Sequence, residues 1–309
     1  MKIIYFATPE YACIPLNGLI EAGHEVALIV TTPDKPKGRG NKMQQTPVAI
    51  RGEELGIPVL KPQRLRDNTE VFEALRAVNA DFIVVYSYGK ILPEEVLTAA
   101  KFGCVNVHAS LLPKYRGAAP IQRAIMDNEP ETGITIMKME KGLDTGDMYA
   151  KAAVEIGRKT AADLYVELSN AGMKLLIDNL PKIASGEITA EKQDDSMSSY
   201  AEMVFKDEGE IDWTKDAQSI DCLVRAFNDF PVAWTKLGDT VLKIYEVEPS
   251  DDNSGKAPGS VISADKNGLF VACGKGSINI KVLQAPGKKL MDSKSFLLGN
   301  KIEIGTVMG

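Results

Sequence analysis

Residues Phe82–Tyr86 read FIVVY, an unbroken apolar run rich in β-branched side chains. Side chains alternate across a strand, so a run apolar at every position must be covered on both faces, as strands of a parallel sheet are. Its neighbours fit that setting. Lys2–Phe6 and Glu25–Thr31 predict strands, Ile14–Ala22 predicts the helix between them, and Ile57–Leu60 predicts a short third strand. Val71–Val78 has helical spacing, while Cys104–His108 and Ile134–Met139 predict further strands. Strands separated by helices of about ten residues imply a doubly wound α/β sheet with right-handed crossovers. The turn after the first strand is Phe6-Ala7-Thr8-Pro9-Glu10, with no G-x-G-x-x-G, and no G-x-x-x-x-G-K-[ST] occurs anywhere. Such a sheet is not built around a dinucleotide or a Walker-type nucleotide.

A helix is expected over Ala161–Leu180, opened by Thr160 with Asp163 three residues on, a capping box with Asp in place of Glu. Beyond residue 183 the chain turns polar, and from Gly209 short β-like runs separated by Gly, Pro, Asn and Asp take over. That texture predicts a small antiparallel barrel or sandwich. The expected organisation is a catalytic domain over 1–189, a linker over 190–208 and a β domain over 209–309.

The four cysteines are far apart and form no C-x-x-C pair, which argues against a zinc site or a disulfide framework and fits a reducing compartment. The N-terminus has no extended apolar core of a signal peptide, and no run approaches the roughly 18–20 apolar residues that cross a bilayer. The expectation is a cytoplasmic monomer with no membrane partner and no metal. A net charge of −6 argues against indiscriminate nucleic-acid binding, yet residues 254–301 carry eight lysines against two acids. A second basic cluster comprises Lys35, Lys37, Arg39 and Lys42. Either could be a solvated surface or an anion-binding one.

The chemically informative stretch is Cys104-Val105-Asn106-Val107-His108-Ala109-Ser110-Leu111-Leu112-Pro113. Alternation places Asn106 and His108 on one face at the carboxyl end of a strand, where open α/β sheets bind ligands. A hydrogen-bonded core pair is the competing reading. His24 lies in a Gly-His-Glu turn and reads as surface, which leaves His108 as the imidazole available for catalysis. Asp144, inside Gly142-Leu143-Asp144-Thr145-Gly146, is a turn former or a carboxylate poised to orient that imidazole. An amide, an imidazole and a carboxylate suit acyl transfer to a nitrogen nucleophile: two donors for the developing oxyanion and one acceptor for the amine proton. Cys104 shares their face but lies deeper, so a hydrolytic triad is the weaker reading.

These blocks resemble the 10-formyltetrahydrofolate-dependent formyltransferases. The family's Asn-x-His is found at Asn106 and His108, its Ser-Leu-Leu-Pro-x-x-Arg-Gly at Ser110–Gly117 and its Gly-Leu-Asp-Thr-Gly at Gly142–Gly146. Its folate wall is matched by Ser87-Tyr88-Gly89-Lys90-Ile91-Leu92-Pro93, with Ser for the usual Ala. Lys206–Trp213 and Arg225–Asn228 add two further blocks. Departures are Ala7 for a usual Gly, Gln44-Gln45-Thr46-Pro47 for a Pro-Ser-Pro, and Asn228-Asp229-Phe230-Pro231 without a first proline.

The resemblance implies a Rossmann-like formyltransferase domain followed by an OB-like β-barrel. It implies 10-formyltetrahydrofolate as donor, contacted by Tyr88, Gly89, Ile91, Leu92, Ser110, Leu111, Leu112 and Pro113. Catalysis is assigned to Asn106, His108 and Asp144. The insertion Thr32–Gly40 and the segment Leu283–Met291 are similar to those of members that formylate initiator methionyl-tRNA. On that likeness Lys35, Lys37, Arg39, Lys42, Lys288 and Lys289 are expected at tRNA phosphates. Rival readings are formyl transfer to an amino sugar or glycinamide ribonucleotide, hydrolysis of the formyl folate, or binding of tRNA or folate without catalysis.

Overall fold

The computed structural model describes residues 1–37, 40–252 and 254–309. They form two compact units: Met1–Pro120, Glu131–Glu155 and Tyr165–Ala201 make the first, and Ile121–Pro130, Ile156–Leu164 and Glu202–Gly309 make the second.

The first unit holds a seven-stranded sheet. In chain order its strands are β1 (Lys2–Ala7), β2 (Glu25–Val30), β3 (Val59–Leu60), β4 (Phe82–Tyr86), β5 (Cys104–His108), β6 (Glu131–Lys138) and β7 (Met148–Glu155). Their spatial order is β7-β6-β5-β4-β1-β2-β3. β1 pairs in parallel with β2 and β4, and β4 with β5. Every residue of β4 is buried, as its unbroken apolar run requires. Ile4, Phe6, Ile83 and Val85 face one core cluster on alternate positions, and Cys104 of β5 joins them. Helix Cys13–Glu21 links β1 to β2, and Thr69–Val78 precedes β4.

Two strands depart from the expected parallel sheet. β6 runs antiparallel to β5, and β7 antiparallel to β6. Nine residues without a helix join β6 to β7, too short for a parallel crossover but ample for a hairpin. β7 lies at the edge of the sheet, and only Val154 of its residues is buried, so it carries little apolar signal.

The stretch 190–208, expected as a linker, is divided between the units, with 190–201 in the first and 202–208 in the second. Tyr200–Ala201 pairs in parallel with Arg116–Gly117, and Glu191 exchanges two backbone hydrogen bonds with Met148, both of 2.8 Å. Its polarity reflects backbone pairing rather than a free chain. The insertion after β2 contains a two-stranded hairpin, Lys35–Lys37 against Lys42–Gln44. No helix among the described residues is long and apolar enough to cross a membrane.

The second unit is built on an antiparallel sheet of β8 (Ala233–Leu237), β9 (Thr240–Ser250), β10 (Val261–Asp265), β11 (Gly268–Ala272), β12 (Ser277–Gln284) and β13 (Met291–Asp292). The order β8-β9-β12-β11-β10 leaves β8 and β10 at the edges, with β13 pairing β12. Residues 307–308 bridge both edges: Met308 pairs with Leu237, and Val307 with Ser260 beside β10. That contact closes the sheet towards a barrel. Helix Ala217–Ala226 packs on it through Ile220 and Val224.

Within this unit Asp221 is wholly buried between two guanidinium groups, Arg225 Nε at 2.8 Å and Arg158 Nη2 at 2.8 Å. Arg225, 6% exposed, also donates to the carbonyls of Gly157 and Lys159. The Arg-Ala-Phe-Asn block of the sequence is therefore a structural tie. Thr160 and Asp163 form the expected capping box, with Thr160 N donating to Asp163 Oδ2 at 2.9 Å and Asp163 N to Thr160 Oγ1 at 3.2 Å.

Truncating Asp221 leaves the Arg225 charge buried without its carboxylate. Arg158, largely exposed, contributes little. Asp221→Ala is expected to cost about 3–5 kcal/mol in urea denaturation, and a loss below about 1 kcal/mol would show that water already reaches Arg225.

Candidate active site

Asn106 and His108 lie on one face of β5, as alternation requires. Asn106 stands between Val85 of β4 and Met137 of β6, and His108 opposite Thr135. The His108 side chain is buried at 6% exposure, and its Nε2 lies 2.9 Å from the Tyr115 carbonyl oxygen. A carbonyl only accepts, so Nε2 carries the proton and Nδ1 is the nitrogen left for chemistry. Nδ1 is 3.6 Å from Asp144 Oδ2, and Asn106 Nδ2 is 3.5 Å from Asp144 Oδ1. The three expected side chains converge, at separations loose enough to tighten around a reacting group.

Asp144 sits in a left-handed backbone conformation, φ +51°, which costs energy for any residue with a Cβ. Several contacts hold it there. The Gly117 amide donates to Asp144 Oδ2 at 2.9 Å. Gln193 Nε2 donates to the carbonyls of Asp144 at 2.8 Å and Gly146 at 2.7 Å. At Gly146 an added Cβ would lie 1.9 Å from the Lys138 carbonyl oxygen, so the loop closes only with glycine there. A cleft of about 400 Å³ lined by Arg116, Leu143, Thr145 and Ser198–Tyr200 opens beside this loop. Gln193 went unanticipated: it lies in a polar stretch with no periodicity, and only its tertiary partners reveal it.

The Ser110–Pro113 turn is braced from within. Ser110 Oγ donates to the Lys114 carbonyl at 2.7 Å. Thr135 Oγ1, on β6, donates to the Ser110 carbonyl at 2.7 Å and accepts from the Leu112 amide at 3.1 Å. Lys151 donates to the Leu112 carbonyl, and burial lowers its pKa. Ser110 and Leu112 point inward, and Leu111 and Pro113 are half-buried. Of the expected folate wall, Tyr88 and Leu92 are buried in the core cluster, whereas Gly89 and Ile91 face solvent. Tyr88 packs edge-on against Phe6 with centroids 5.1 Å apart, and its hydroxyl has no hydrogen-bond partner. Burial pushes the Tyr88 phenol up to about 12. Ile91, 86% exposed, offers an apolar side chain that a flat ring system can cover.

Cys104 is buried at 2% exposure, with its thiol 3.5 Å from Met139 Sδ, and burial raises its pKa. Buried and with its pKa raised, this thiol is a poor nucleophile, which weighs against a triad built on Cys104. His24 Nδ1 lies 3.3 Å from the N-terminal amine. Among the described residues no group of three or more His, Cys, Asp or Glu side chains could hold a metal ion. Lys35, Lys42, Lys288 and Lys289 are exposed; Lys37 lies on the hairpin strand Lys35–Lys37; Arg39 lies outside the described residues.

Residues 1–180 match the formyl transferase domain and residues 203–301 the formyl transferase C-terminal domain. The methionyl-tRNA formyltransferase of Citrifermentans bemidjiense is 44% identical over 310 residues, covering 100% of this chain and 96% of that protein. That of Clostridium novyi is 45% identical over 309 residues and covers 100% of both. Among solved structures, HypX from Aquifex aeolicus in complex with tetrahydrofolic acid superposes with a TM-score of 0.67 at 17% identity, over 99% of this chain and 50% of that one. The sugar 3N-formyl transferase WlaRD gives 0.65 at 20%, over 94% and 99%. At these identities the two structures share the fold.

Thr135→Val keeps the shape of a wholly buried side chain but leaves the Leu112 amide and the Ser110 carbonyl without their partner. The variant is expected to lose about 1–3 kcal/mol in a denaturant titration, and an unchanged midpoint would show that the turn is held by other contacts.

Proposed function

Because the chain belongs to the formyl transferase family, we propose that Asn106, His108 and Asp144 carry a formyl group from 10-formyltetrahydrofolate to the amine of initiator methionyl-tRNA. The observation that carries this reading is the convergence of those three side chains at the carboxyl end of β5. The acceptor comes from relatives named methionyl-tRNA formyltransferase, 43–45% identical over the full chain.

A bound formyl donor supplies a carbonyl carbon attached to nitrogen, the electrophile that the methionyl amine attacks. Asn106 donates from Nδ2 to the carbonyl oxygen as it gains charge. His108, its Nε2 already donating to Tyr115, adds a second donor through Nδ1 when protonated. Asp144 accepts the proton that the amine sheds as its bond to carbon forms. His108 returns a proton to the nitrogen whose bond to the formyl carbon breaks, so the step balances without a protein nucleophile. Gly89 and Ile91 give the donor's ring system an open apolar contact, and the braced Ser110–Pro113 turn gives it a rigid edge. Lys35, Lys42, Lys288 and Lys289 are assigned to tRNA phosphates, contacts that strengthen binding without reading sequence.

Formyl transfer from 10-formyltetrahydrofolate is to be measured with methionyl-tRNA, free methionine and an amino sugar as competing acceptors. Turnover on methionyl-tRNA alone is expected; turnover on the sugar alone would overturn the acceptor and keep the chemistry. Asn106→Ala, His108→Ala and Asp144→Ala are each expected to lower kcat by about 10²-fold or more, and wild-type turnover in any of them removes that residue from the scheme. Raising salt from 50 to 200 mM is expected to increase KM for the tRNA and leave that for the donor unchanged; no rise excludes the lysine assignment.

A further inference from the structure

We propose that Gln193 is a positioning residue for this transfer, acting through the Asp144 loop. The proposal rests on the function assigned above. Gln193 is 4% exposed, and its carboxamide makes four hydrogen bonds. Nε2 donates to the carbonyls of Asp144 and Gly146 at 2.8 and 2.7 Å, while Oε1 accepts from Arg116 Nε and Nη2 at 3.0 and 2.8 Å. Both amide hydrogens and both oxygen lone pairs are used. The orientation is unambiguous, because carbonyls only accept and a guanidinium only donates, so a flipped amide would lose all four bonds.

What these bonds connect gives the residue its role. The two carbonyls bracket Thr145, so Gln193 holds the Asp144 peptide in its left-handed turn. Arg116 immediately precedes Gly117, whose amide fixes the Asp144 carboxylate at 2.9 Å. One side chain therefore sets both the main chain that carries the carboxylate and the residue next to the donor that aims it. The segment around Gln193 is itself anchored on both sides, by Glu191 on Met148 before it and by Ser199 after it. Ser199 accepts from the Tyr115 amide through Oγ at 2.9 Å and from the Arg116 amide through its carbonyl at 2.9 Å. Tyr115 in turn supplies the carbonyl that fixes the His108 tautomer. Arg116 Nη2 also reaches Asp195 at 2.7 Å, but that carboxylate is 75% exposed and adds little. A neutral carboxamide suits this place: glutamate would turn an acceptor towards two carbonyl oxygens.

The test is a double-mutant cycle on steady-state formyl transfer, with Gln193→Ala and Gln193→Glu each made alone and combined with Asp144→Ala. Each single change is expected to lower kcat about 10²-fold, because small displacements of an acid–base group cost that much, while KM for donor and tRNA stays within about two-fold. Added to Asp144→Ala, neither is expected to lower kcat further. Arg116→Lys, which keeps the charge but loses the paired donors, is expected to show the same dependence and serves if Gln193→Ala does not fold. Losses that multiply with Asp144→Ala, or a raised KM at unchanged kcat, overturn the positioning role. If Asp144→Ala is slow and the Gln193 variants are not, this proposal alone fails. If Asp144→Ala turns over normally, the catalytic assignment fails and the proposal with it.

Discussion

The hydrogen bond from the Gly117 amide to the Asp144 carboxylate joins two loops that are 27 residues apart and lie on either side of β6. Without it the carboxylate sits in a strained turn with no fixed direction, and the imidazole opposite has nothing to face. The close approach it needs is bought by glycine: a Cβ at residue 117 would come within 2.5 Å of the Ala201 carbonyl oxygen. The parallel pairing of Arg116–Gly117 with Tyr200–Ala201 is thus a condition of the carboxylate's geometry. The sheet supplies the other half, since β5 presents Asn106 and His108 at fixed pleat positions that no loop could hold as rigidly.

This division of labour decides how much could be read from sequence. Parity and apolar continuity set the strands, so β4 was expected with its observed ends and β5 with Asn106 and His108 on a common face. Local chemistry marked the Thr160–Asp163 box. Elements whose reasons are non-local left no trace. β7 is an edge strand with alanines and little burial, and it carries no pattern to distinguish it from a loop. The stretch around Gln193 is polar because its backbone and carboxamide are matched by distant partners, and in one dimension such a segment is indistinguishable from a linker. The tautomer of His108 is of the same kind: residue identity provides an imidazole, but the Tyr115 carbonyl decides which nitrogen is free.

The two units resolve buried polarity in opposite ways. In the first, Gln193 satisfies two carbonyls and a guanidinium without adding a charge of its own. In the second, Asp221 meets two guanidinium groups outright, a rigid choice that gives orientation more than net stability.

The closure of the second sheet by residues 307–308 bears on biosynthesis. A chain emerging from the ribosome presents β8 first; Trp234 on its outer edge already has Glu210 to pair with, but Leu237 gains its partner there only when Met308 arrives, more than seventy residues later. Through that interval the Leu237 end of β8 offers open backbone to any neighbouring chain. The lysines spread over residues 254–301 lie within that late-emerging stretch. Like charges repel, so this lysine-rich stretch, Lys288 and Lys289 included, disfavours pairing between neighbouring chains while the barrel is incomplete.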